Sequence, residues 1–283
     1  MTVAALGAIT PARARLAIAA RAIEPILTRV VFAGPPVVDL LMNDPGVRTP
    51  QLNFAADSVL QLLSTSMVDR LGIDLQKLGF TRIGRTERAD RWRVADDVTV
   101  DLIQVRTDDA DPDQLCLEYA TLLTLPFTVD DRLTVRIVAA PAMLALECAA
   151  FIKSGARPLD SEELERVVLL IAGRKEVEKE CVAAPPELRS IISAVLAGLI
   201  RGDALPLLIQ RALPDAALLP ALGTRVRERV LRMGTERRAD IDYSVVKGEA
   251  ELVGVRRSER ETSLSQRDEL EQVQCECQCE SER

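Results

Sequence analysis

Arg91-Trp92-Arg93-Val94, followed after Ala95-Asp96-Asp97 by Val98-Thr99-Val100-Asp101-Leu102-Ile103, is the stretch on which the reading of the fold turns. Apolar and polar residues alternate along both runs with a short acidic link between them, the pattern of a β-hairpin. A period of two puts Val98, Val100 and Leu102 on one face and Thr99, Asp101 and Ile103 on the other. Toward the N-terminus, residues 59–78 predict a helix with Gly79 at its C-cap, and Leu52-Asn53-Phe54-Ala55 predicts a strand before it. Val30-Val31-Phe32-Ala33 predicts a buried strand, broken by Gly34-Pro35-Pro36 and followed by a helix over 37–42. Residues 12–28 predict an amphipathic helix that Pro25 kinks or ends. Toward the C-terminus, 133–138 predicts another strand, and from Pro141 the pattern becomes helical. Helices are expected over 142–153, from an N-cap at Ser161, and from Pro185-Pro186 to about residue 200, with shorter ones up to Met233.

Strands with mixed connections followed by a helical run imply an α/β (α+β) fold: a small mixed sheet with flanking helices, then a helical C-terminal half. The expected division is residues 1–140 for the α/β domain, 141–236 for a helical region packed on it, and 237–283 for a charged, cysteine-containing disordered tail. With 3% aromatic residues, the core must be filled by Leu, Val, Ile and Ala. A net charge of −7 argues against general nucleic-acid binding, which needs clustered cations. No apolar stretch has the length to span a bilayer, and the expected location is cytoplasmic.

The sequence contains no histidine, which removes Ser-His-Asp, Cys-His and HExxH chemistry. Catalysis would have to rest on carboxylates, Lys, Cys, Tyr or a carboxylate-held metal. Cys116, Cys148 and Cys181 fall in apolar or helical contexts and read as buried free thiols. Cys275, Cys277 and Cys279 lack the spacing and second ligand pair of a zinc site. Arg225, Arg227, Arg229 and Arg232, and likewise Arg174, read as solvated helix faces.

Nucleotidyl transfer asks for two carboxylates two residues apart on one strand, a third on an adjacent strand, and a glycine turn that brings amides to the triphosphate. Val30 to Gly34, Thr49, Leu78-Gly79-Phe80, Val100-Asp101-Leu102, Met143 to Phe151 and Ser161 to Glu165 occur here in that order. In order and spacing the chain resembles the nucleotidyltransferase proteins of the AbiEii/AbiGii toxin group, from about Val30 to Ile200. The resemblance implies nucleotide-binding roles for Gly34, Arg48 and Thr49, with Asp101 as the remaining catalytic carboxylate and the one candidate ligand for a metal. It places Gln51 and Asn53 at the two strand aspartates, Pro35 in the phosphate turn, Glu147 at a helix lysine and Arg166 at a later aspartate.

Each of these departures weakens the hold on a magnesium nucleotide. The resulting expectation is a catalytically degraded nucleotidyltransferase-like protein that acts as a binding or regulatory scaffold, with a toxin–antitoxin pair as a candidate setting. It would take a protein partner, with a nucleotide as second candidate ligand, and would need no cofactor. The alternatives are an active transferase that uses Mg2+ to move NMP to tRNA or protein, and a structural assembly subunit.

Overall fold

The computed structural model describes residues 11–47, 59–66, 68–85, 89–94, 98–106, 112–213 and 220–235. Seven strands form one mixed sheet: β1 (Val31–Ala33), β2 (Leu60–Ser64), β3 (Thr81–Arg85), β4 (Ala89–Val94), β5 (Val98–Gln104), β6 (Thr124–Thr128) and β7 (Thr134–Val138). Their spatial order is β3-β4-β5-β2-β1-β7-β6. β2 pairs antiparallel to β1 and parallel to β5, while β1 pairs parallel to β7. Ten helices occur among the described residues. They are α1 (Pro11–Ala22), α2 (Pro35–Leu41), α3 (Val68–Lys77), α4 (Pro112–Leu122), α5 (Ala140–Ser154), α6 (Glu162–Gly173), α7 (Val177–Val182), α8 (Pro186–Arg201), α9 (Ala204–Ala212) and α10 (Pro220–Thr235). The mixed α+β class and the helical C-terminal half are as expected from the sequence.

Residues level with one another in adjacent strands point to the same face. Leu102, Leu62, Phe32 and Ile137 are level across β5, β2, β1 and β7, and all four are buried. The β4–β5 hairpin forms as predicted, with Val94 opposite Val98. Gly79 adopts φ +86° just after α3, and Ser161 caps α6 by accepting from the Leu164 N–H.

The helix expected over 59–78 is corrected: residues 60–64 are strand β2, and α3 begins only at Val68. β2 is an inner strand with four of its five residues buried, so the alternation that marks a half-exposed strand is missing. The strand expected at Leu52–Ala55 lies outside the described residues, as do 237–283. The N-terminal helix ends at Ala22, and Pro25 lies in the first turn of a 3-10 segment, Glu24–Arg29. β3, α4 and β6 carried no clear sequence signal.

The sheet and the helical half share one hydrophobic core. α2 packs on β1 and β2 on one side and on α5 and α6 on the other. The chain leaving α2 is held on the end of α6, where the Asn43 and Asp44 N–H groups both donate to the Gly173 carbonyl, at 2.8 and 2.9 Å. No single helix among the described residues is long and apolar enough to cross a membrane; α8 and α9 pass that test only together, and they meet at 110°.

Candidate functional site

β1 runs into Gly34, whose φ of 90° and ψ of 179° belong to a region that essentially only glycine visits. A Cβ there would lie 2.9 Å from the Val59 carbonyl oxygen and 3.2 Å from Cγ of Gln61. This glycine therefore lets the β1–α2 turn press against the start of β2. The turn is poor in donors for an anion. Pro35 and Pro36 have no N–H, and the Val37 N–H donates to the Gly34 carbonyl at 2.9 Å.

One polar rung crosses the sheet beside this turn. Arg91 on β4 is level with Asp101 on β5, Asp101 with Gln61 on β2, and Gln61 with Ala33 on β1. Asp101 is thus on the face opposite Val100 and Leu102, as the alternation predicted. Its carboxylate is already engaged at both oxygens: Arg91 Nε donates to Oδ1 at 2.7 Å and Arg91 Nη2 to Oδ2 at 2.8 Å. The Asp101 side chain is only 12% exposed. Its hydrogen bonds and charge raise the Arg91 guanidinium above its ordinary pKa despite partial burial. A two-point arginine–carboxylate clasp of this kind is among the stronger protein hydrogen-bond arrangements.

The described residues do not fit a divalent cation here. Asp101 would have to abandon Arg91, its neighbour on β2 is the neutral Gln61, and no cluster of three or more metal-ligating side chains occurs among the described residues. Arg48, Thr49, Gln51 and Asn53 lie outside the described residues; Val47, just before them, is buried. Gln61 and Arg91 are the site residues that the sequence did not single out. Gln61 was hidden because its segment read as helix, and Arg91 because alternation reports a face but not a partner.

Glu147 and Arg166, separate departures in the sequence, are partners in space. Arg166 Nε donates to Glu147 Oε2 at 3.0 Å between α5 and α6, with the side chains 14% and 7% exposed. Glu162 and Glu163 lie 3.4 and 3.6 Å from the same guanidinium. Burial pushes the Glu147 carboxyl up to about 7, against the opposing pull of Arg166. Burial would also lower Arg166, but the charge and hydrogen bond of Glu147 hold it above its ordinary value.

Three further expectations can be compared with the structure. Cys116, Cys148 and Cys181 are buried and form no disulfide, and burial drives the Cys148 thiol upward, away from nucleophilic use. Cys275, Cys277 and Cys279 lie outside the described residues. Of the α10 arginines, Arg227 and Arg232 are exposed as expected, but Arg229 donates to the Ile171, Ala172, Arg174 and Lys175 carbonyls at the end of α6, and Arg225 pairs with Asp44 at 3.1 Å. Arg174 is likewise enclosed, clasping Glu180 and donating to the Leu41 carbonyl. No protein-family model matches the chain, and no curated protein matches it.

Proposed function

We propose that this chain is a binding scaffold on a nucleotidyltransferase-like fold, with the transfer reaction lost. The observation that carries the reading is the closed Arg91–Asp101 pair, in which a guanidinium takes the place that a metal ion would need. The order of elements supports it: a strand, a glycine turn and helix, a second strand, a helix ending in Gly79-Phe80, then the hairpin bearing Asp101. The paired carboxylate positions of the resemblance, Gln51 and Asn53, lie outside the described residues; between the turn and Asp101, β2 presents the neutral Gln61 beside Asp101. In the helical half the two charge-reversed positions, Glu147 and Arg166, satisfy each other. A scaffold that keeps its packing while closing its charges internally suits protein binding better than Mg-NTP binding.

The test is incubation of the full chain with α-labelled NTPs, Mg2+ or Mn2+, and tRNA or a protein extract. The expected result is no label on any acceptor. Transfer that disappears in Asp101→Ala would establish a working transferase and defeat the reading.

A further inference from the structure

The sheet ends in two unlike edges. At one, β6 carries Pro126, which has no N–H to pair with a neighbour. There Arg13 of α1 donates to the Thr128 and Val129 carbonyls, and its guanidinium lies 5.7 Å from the Phe127 ring centre. That edge is closed. At the other, all five residues of β3 are exposed, and among the described residues its sole sheet neighbour is β4. A bulge between Arg82 and Gly84 leaves Ile83 41% exposed.

The charge at this edge runs against the chain as a whole, whose net charge is −7. β3 and β4 hold Arg82, Arg85, Arg91 and Arg93 against the single acid Asp90. Arg91 is committed to Asp101. Arg82 and Arg85 share the Asp90 carboxylate, at 2.5 and 3.6 Å, so positive charge is in excess among the described residues of β3 and β4. Arg93 is exposed.

We propose that the β3 edge is a docking strand for an extended acidic segment of a partner protein, added as an eighth strand with its acids opposite Arg82 and Arg85. The proposal rests on the scaffold reading and names the partner class for it. An open strand edge offers alternating N–H donors and C=O acceptors, and a peptide backbone satisfies both. Nucleic-acid phosphates would use the donors and be repelled by the carbonyls. A second copy of this chain is disfavoured, because edge-to-edge pairing would set arginines against arginines. Bulge and arginines together deter indiscriminate pairing and leave an acidic strand as the acceptable neighbour.

The test measures fluorescence anisotropy of labelled probes with the full chain. The probes are a peptide of alternating Glu and Val, its Lys-for-Glu counterpart, the Glu peptide N-methylated at alternate residues, and a single-stranded oligonucleotide. The expected result is saturable binding of the unmodified acidic peptide alone, weakened at least fivefold in Arg85→Glu. Arg85 is 75% exposed, so its substitution leaves the fold intact. Hydrogen exchange of the wild-type amides at 81–85 should slow when the acidic peptide is bound, a readout that needs no variant. Equal binding of the Lys or N-methylated peptide, tighter binding of the oligonucleotide, or no binding at all would overturn the proposal. Label transfer from NTP with peptide binding intact would sink the scaffold reading and spare the edge. Failed peptide binding without transfer would do the reverse.

Discussion

Glu147→Gln should remove a defined pH dependence from the stability of this protein. In the folded chain the Glu147 carboxyl titrates at about 7, against an ordinary value of 4.5, because burial outweighs the pull of Arg166. A carboxyl raised in the folded state binds its proton more tightly there than in the unfolded chain. Its contribution is therefore fully present below about pH 4.5 and is lost as pH rises through about 7. At 1.36 kcal/mol per pKa unit, the span corresponds to about 3 kcal/mol. The groups facing Glu147 do not mimic the effect: Arg166 stays charged throughout, Glu162 and Glu163 remain in both proteins, and the neighbouring Cys148 thiol is driven upward. Asp74, Asp130 and Glu178 are held low, chiefly by hydrogen bonds from Arg29, Arg21 and Arg232, so their contributions fade only in acid. They cancel in the difference between wild type and variant. Urea unfolding of both proteins at steps from pH 4.5 to 8 supplies that difference, with unchanged m-values as the check on two-state behaviour. Wild-type stability relative to Glu147→Gln should fall by about 3 kcal/mol across the range. A difference that stays flat, or that grows with pH, would refute the reasoning.

Two glycines give steric predictions. A Cβ on Gly173 would lie 2.5 Å from Met42 Sδ and 3.0 Å from Met42 Cβ, and the adjoining backbone is tied by the two hydrogen bonds to the Gly173 carbonyl. Gly173→Ala should cost about 1–3 kcal/mol in chemical denaturation, and adding Met42→Ala should recover part of that loss. Gly34→Ala combines a forbidden backbone conformation with a 2.9 Å approach to the Val59 carbonyl, so about 3 kcal/mol should be lost. A wild-type melting temperature for Gly34→Ala would mean that the β1–α2 turn does not sit against β2 as described.

The legible parts of the fold were those with a local signal: alternation, a cap, or a short β-branched run cut by prolines, as in β1. The β4–β5 hairpin could be read because its alternation survives, with Asp101 pointing away from Val100 and Leu102. Ser161 and Gly79 were readable because caps and positive φ are local demands on a few residue types. Leu60–Ser64 could not be read as strand because four of its five residues are buried, which erases the alternation, and only its pairing with β1 and β5 shows that it is extended. Charge partners were the least legible. Arg174 and Arg229 were taken for surface residues, yet each reaches carbonyls more than fifty positions away, and no spacing rule encodes a contact at that range. Arg91 was counted among alternating polar residues, though its level partner Asp101 is what makes it a site residue.

The closed pairs and the open edge answer different questions about the same protein. Arg91–Asp101 and Glu147–Arg166 are half-buried to buried pairs whose charges are satisfied from within, and opening either would leave an uncompensated charge in a poorly hydrated place. A ligand seeking those carboxylates must first outcompete a guanidinium already held at 2.7 to 3.0 Å, so affinity would be taxed before any chemistry began. At β3 the arrangement is reversed. Two guanidiniums divide one buried carboxylate, β3 has no outer neighbour among the described residues, and Arg85, 75% exposed, can turn to a partner while Arg82 keeps Asp90 paired. Where charge is in excess and backbone groups face outward, a partner gains from both at once, and that is why recognition is placed at the sheet edge and not beside Gly34.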